Sequence, residues 1–100
     1  MIIEYIRYTI DTARSDDFIV AYGEAATPLL ESPHCLHYEL TRCEEEPTAF
    51  IVRLHWTSTE DHLEKFRGSD HFKAFFTKIR SFVDDIEEMR HYAILDSRDA

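Results

Sequence analysis

"HWTSTEDHLEKFRGSDHFKAFF", residues 55–76, holds the end of one strand and the starts of two helices. Upstream of it, Phe50, Val52, Leu54 and Trp56 alternate with Ile51, Arg53 and His55, a period of two that predicts a strand over 48–56. Ser58 with Asp61 makes a capping pair for a short helix that ends near Gly68. Ser69 then caps a second helix, on which Phe72, Phe75, Phe76, Ile79 and Val83 recur at helical spacing.

Working outward, residues 2–10 alternate Ile2, Ile6, Tyr8 and Ile10 against Tyr5, Arg7 and Thr9, a first strand. Ser15 is placed to cap a helix with Phe18, Tyr22, Ala25 and Leu29 as its buried stripe, and Pro28 is expected to kink or stop it. A strand over 35–43 sets Leu36, Tyr38 and Leu40 against His37, Glu39 and Thr41, and "EEEP" at 44–47 is a hairpin connection. A last strand covers 86–95. The order β-α-β-β-α-α-β predicts a ferredoxin-like α+β fold with an antiparallel-rich sheet and helices on one side. One domain spans 1–95, with 96–100 a frayed tail. The other sheet face would carry Tyr5, Arg7, His37, Ile51, Arg53, His55, Met89 and His91, and a homodimer packing sheet on sheet would cover it.

Composition narrows the function classes. Lys and Arg number 11 against 20 Asp and Glu, a net charge of −9, which argues against nucleic acid and anionic lipid as partners. Seven Phe and five Tyr exceed what a thin core consumes, so some should line a pocket or an interface. No basic segment followed by an apolar core opens the chain, and no run is long enough to span a membrane, so a cytoplasmic location is expected. Cys35 and Cys43, at opposite ends of one strand, lie about 26 Å apart and cannot bridge.

The histidines lack metal-ligand spacing. His55, His62 and His71 are separated by seven and nine residues, and His34 and His37 fall on opposite faces of an extended segment. No metal is therefore expected. Gly23 and Gly68 are the only glycines, so no phosphate or dinucleotide loop exists, and neither cysteine sits as an activated nucleophile. What remains is an aromatic pocket built from Trp56, Phe66, Phe72 and Phe76, with His71 and His62 as candidate bases. Arg53 or Arg90 could steady a substrate anion.

The strand ending in Trp56, followed by "TSTEDHLEKF" and "SDHFKAFF", resembles the antibiotic biosynthesis monooxygenase family, and the agreement in element order extends over 1–95. That resemblance implies a dimeric α+β barrel, with Trp56 and His71 matching the family's pocket-lining tryptophan and histidine. The chain departs from the pattern at Phe66, where a histidine is often found. The haem-degrading branch's tryptophan and iron-ligating histidine fall on Phe66 and Phe76, which speaks against haem. "SPHCLHYELTRC" and "DIEEMRHYAI" are similar to a subgroup whose genes lie near truncated haemoglobins, implying such a protein as a partner.

The resemblance implies a cofactor-independent monooxygenase acting on a small aromatic or quinol-type substrate, with His71 or His62 as base. Two other readings use the same pocket: a non-catalytic dimeric module for a small ligand or a partner protein, and an isomerase.

Overall fold

The computed structural model describes residues 1–100. Four strands, β1 (Ile2–Thr9), β2 (Cys35–Arg42), β3 (Ala49–Trp56) and β4 (Ile86–Ala93), form one sheet in the order β2-β3-β1-β4. Every neighbouring pair is antiparallel. Helix α1 (Ser15–Glu31) connects β1 to β2, and helix α2 (Asp70–Ile79) lies between β3 and β4. A π-helical turn, Asp61–Phe66, precedes α2, and two 3-10 turns, Thr12–Arg14 and Arg80–Asp85, flank the helices. This is the expected ferredoxin-like α+β architecture, with α1 and α2 packed on each other over one sheet face. The last strand closes at Ala93 rather than residue 95.

Residues of β1 that face the helices are Ile2, Glu4, Ile6 and Tyr8; across the sheet they meet Trp56, Leu54, Val52 and Phe50 of β3. Phe18 centres the core: it is fully buried, and its ring touches those of Tyr8, Tyr22, Phe50 and Phe82 at centroid distances of 4.9–5.2 Å. Such edge-to-face contacts add to the burial of area. Tyr8 and Tyr22 share a short hydrogen bond between hydroxyls, which satisfies both in an apolar setting. At the helix-connection end, Arg14 reaches Asp85 at 2.8 Å and lies over the Phe82 ring, clamping the two 3-10 turns together.

Local signals held unevenly. Ser69 caps α2, its Oγ accepting from the Phe72 N–H at 3.3 Å, and Ser58 Oγ accepts from the Asp61 N–H at 2.9 Å. Ser15 does not cap α1: it is buried as the first helical residue and donates to the Asp11 carbonyl at 3.2 Å, because a 3-10 turn already leads into the helix. Pro28 does not end α1, which runs on to Glu31; the ring costs one intrahelical bond in the last turn, and packing of Leu29 holds that turn.

Two β-bulges decide which side chains face the helices. Between Cys35 and His37 the register against β3 shifts, so Leu36 swings out, 52% exposed, and Cys35 enters the core beside Trp56. On β4, Arg7 pairs with Glu88 and Tyr8 with Ile86, leaving Glu87 without a partner. The extra residue resets the alternation. Ile86, Met89 and His91 all face the helices, whereas simple alternation puts Met89 and His91 on the opposite face.

Truncating Phe18 to Ala should cost about 3–5 kcal/mol in denaturant unfolding, since the cavity would be walled by rings on all sides. Burial pushes the Tyr8 phenol up to about 12 and Tyr22 well above the usual range. Both folded-state values lie above the unfolded one, so their contribution is intact below about pH 10 and is lost as pH rises through about 12. Denaturation midpoints should fall over that window, and Tyr22→Phe should shallow the fall.

Candidate functional site

Between the sheet and α2 lies a cavity of about 240 Å³ whose wall is mostly apolar. Trp56 and Leu54 form its floor with Ile6 and Tyr8; Phe66, Phe72, Phe75 and Phe76 form its roof. Sequence explains the roof. The amphipathic spacing of α2 turns Phe72, Phe75 and Phe76 toward the sheet, and the cap at Ser69 fixes where that helix begins. The π-helical turn before it is closed by the Arg67 N–H bonding the His62 carbonyl, five residues back, at 3.2 Å. It turns His62 and Phe66 inward together, both buried. Gly68 lets the chain pass from this turn to α2: a Cβ there would stand 3.0 Å from the Glu64 carbonyl oxygen.

Three polar side chains, Glu4, His62 and Arg67, line the cavity, and His91 stands behind His62. Glu4 on β1 is 1% exposed and accepts from the Trp56 indole N–H at 3.0 Å. His62 stacks on the Trp56 indole at 4.2 Å, with its Nε2 3.6 Å from Glu4 Oε1. On the other side, His62 Nδ1 and His91 Nε2 are 2.7 Å apart and share a proton. His91 is the in-register neighbour of Glu4 across the sheet. Arg67 completes the wall and is exposed.

Burial sets the protonation states. It pushes the Glu4 carboxyl up to about 7, against the opposing pull of the Trp56 N–H and the Arg67 charge. Burial, reinforced by the charge of Arg67, brings His62 down to about 3 and lowers His91 as well. Both rings are therefore neutral near pH 7, and the approach of His62 to Glu4 is a polar contact rather than an ion pair, despite its distance. Glu4 Oε2 is buried without a hydrogen-bond partner.

Of the residues singled out from sequence, the structure gathers Trp56, Phe66, Phe72, Phe76 and His62 around one cavity. His71 is not among its lining residues; it lies one position from Phe72 on α2, partly exposed, while the stripe of Phe72, Phe75 and Ile79 takes the inward face. Arg53 and Arg90 are also outside it. Both pair in register with Tyr5 on the sheet face away from the helices, where Arg53 donates to Glu39 at 2.9 Å and to the Tyr5 hydroxyl at 3.3 Å. The expectation that no histidines cluster also fails: His62 and His91, 29 residues apart, meet beside Glu4. Spacing along one element could not show a pair built across two. Glu4 did carry a signal, a carboxylate at an inward position of an otherwise apolar strand face. His91 carried none, because the bulge at Glu87 reverses its parity.

A family model described as antibiotic biosynthesis monooxygenase matches residues 1–78. The chain belongs to the antibiotic biosynthesis monooxygenase family. The uncharacterised protein YczJ of Bacillus subtilis (strain 168) is 24% identical over 92 residues, covering 92% of this chain and 97% of that protein. A solved structure from Bordetella bronchiseptica with the same family designation superposes with a TM-score of 0.77 at 20% identity, over 94% of this chain and 96% of that one. A variant of SnoaB, a cofactor-independent oxygenase from Streptomyces nogalater, gives a TM-score of 0.77 at 13% identity, over 96% and 94% of the two chains. At such identities the structures speak to the shared ferredoxin-like fold.

Trp56 is the only tryptophan of this family member, 1% exposed and in van der Waals reach of the cavity. Its emission should be blue-shifted and resist acrylamide quenching. A naphthol-sized ligand entering the cavity should change its intensity saturably, and Leu54→Phe, which fills the space without adding an indole, should abolish that response.

Proposed function

We propose that this protein is an oxygenase that needs no flavin or haem and acts on a small aromatic substrate held in the cavity under α2. The observation that carries this reading is the convergence of Glu4, His62 and Trp56, beside Arg67, on a chamber otherwise lined by apolar side chains, with His91 bonded to His62 behind it. Apolar walls bind and dehydrate a ring, and a buried carboxylate with a relay behind it removes a proton. A cavity of about 150 Å³ admits benzene, so about 240 Å³ suits one substituted ring or two fused rings.

In this reading Glu4, through its unpartnered Oε2, takes a proton from an acidified C–H₂ or hydroxyl of the substrate. The proton passes toward His62 and leaves by His91, which is partly exposed. The resulting conjugated anion is the reductant of O₂. At a methylene carbon the balance is complete: the carbon becomes a carbonyl, and the second oxygen atom departs as water with the two hydrogens. Trp56 holds Glu4 in place through its N–H. The packed aromatic roof, Phe66 edge-on to Phe72 and Phe72 stacked on Phe76, keeps bulk water out.

The functional unit in this proposal is a homodimer through the open sheet face. Support comes from Ile51, Tyr92 and Leu95, which are 38%, 44% and 95% exposed, and from His55 Nε2 on that face, buried with no partner within the chain. A partner sheet would cover the first three and could satisfy the last.

Oxygen uptake with a naphthalenediol probe, whose keto tautomer carries an acidified methylene, tests the chemistry. Glu4→Gln should lower turnover by about 10²–10⁴, while His71→Ala should leave it unchanged. Full activity in Glu4→Gln would remove the proposed base. Light-scattering mass at micromolar concentration should give two chains, and Ile51→Asp should give one.

A further inference from the structure

The polar end of the cavity has the composition of a metal site. Glu4, His62 and His91 come from β1, the π-helical turn and β4, and one donor atom from each lies within 4.8 Å of the other two. Glu4 and His62 are 1% and 4% exposed, so this is a built interior cluster and not a chance gathering of surface acids. A second observation is independent of that proximity. Glu4 Oε2 is buried with no partner, although leaving a carboxylate oxygen unsatisfied in the interior is costly. Its other oxygen is fixed by the Trp56 N–H, the kind of outer contact that orients a ligating carboxylate.

We propose that Glu4, His62 and His91 form a three-ligand site for a divalent first-row transition ion, with its remaining coordination position open to the apolar cavity. Two imidazoles and one carboxylate suit zinc or ferrous iron, and three protein ligands leave room for a water or a substrate oxygen. Calcium and magnesium, which take oxygen ligands, are disfavoured by the two ring nitrogens.

In the ion-free protein a proton sits between His62 and His91, whose nitrogens are 2.7 Å apart. The ion takes that proton's place. With metal–nitrogen bonds of about 2.0–2.1 Å and a tetrahedral angle, two ligand nitrogens stand about 3.3 Å apart, so the rings must separate by roughly half an ångström. His91 can yield, since it is partly exposed and β4 is an edge strand. Ion uptake does not depend on the oxygenase reading. One consequence does rest on it: an ion held by these donors occupies the proposed base, so the loaded protein is the inactive form for that route.

The test starts from chelator-treated full-length protein titrated with Zn²⁺ by calorimetry and with Co²⁺ by visible absorption. One ion per chain is expected, with Co²⁺ bands of low-coordinate intensity and a raised melting temperature. Glu4→Gln and His91→Asn should each weaken uptake by more than about 100-fold, beyond the 10–100-fold typical of outer-shell partners. His37→Asn, on the opposite sheet face, should not weaken it. His91→Asn decides the matter if Glu4→Gln does not fold, because His91 lies at the cluster's exposed edge. Absence of saturable uptake by the parent protein overturns the proposal. So does uptake that survives both variants, or that is lost in His37→Asn. The binding readout uses no substrate, so it is independent of whether turnover is found; in an active preparation, stoichiometric Zn²⁺ should suppress oxygen uptake and chelator should restore it.

Discussion

Everything at the polar end of the cavity depends on the alternation of a β-strand and on the single place where β4 breaks it. A strand presents successive side chains to opposite faces, so a residue's layer is fixed by counting from any neighbour whose layer is known. On β1 the count sends Glu4 inward with Ile6 and Tyr8. On β4 it would send His91 outward if the count ran unbroken from Ile86. The unpaired Glu87 shifts it by one, and His91 arrives next to Glu4 on the helix side. A bulge thus re-aims one imidazole across the sheet, a role bulges play beside functional sites. Without that shift His62 Nδ1 would lose its imidazole partner, and Glu4 would keep only the Trp56 N–H and His62 beside it.

The helical layer supplies the complementary constraint. The i+5 turn at 61–66 carries His62 onto the Trp56 indole, with Phe66 beside it. Stacking on the indole and the link to His91 leave the His62 ring little freedom, which suits a group that passes a proton or accepts an ion. The same packing makes the rings neutral and the carboxyl hard to ionise. A cluster so poorly solvated would only destabilise a chain that had no use for it. Retaining it in a small domain with little surplus stability points to function.

The two sheet faces then divide the labour. The face toward the helices holds the aromatic chamber, and the opposite face holds a band of charge and aromatic surface: Glu39, Arg53, Tyr5 and Arg90 in one row, His37, His55, Ile3 and Tyr92 in the next. Arg53, tied to Glu39 and Tyr5, belongs to the second face and cannot serve a substrate in the first. An antiparallel sheet separates the two sets of side chains completely, because no side chain crosses its own backbone layer.

Much of the fold was written in the sequence. The period-two runs of β1 and β3, the serine caps at Ser58 and Ser69, and the apolar stripe of α2 are local signals, and each element formed where its signal lay. The aromatic half of the chamber followed, since Trp56, Phe66, Phe72 and Phe76 sit on the buried parity or stripe of their own elements. His62 was also visible, four residues before Phe66. Its partners were not. Residues 4, 62 and 91 lie far apart along the chain, and only sheet pairing between β1 and β4, with its one-residue bulge, sets them side by side. A bulge is a tertiary compromise between two strands and the layer that covers them, so strand alternation alone does not announce it. For the same reason His71, Arg53 and Arg90 read as site residues from their chemistry, yet packing assigned them elsewhere. Sequence determined the elements and their apolar faces; the fold alone decided which polar groups meet, because that choice depends on register between strands distant in the chain.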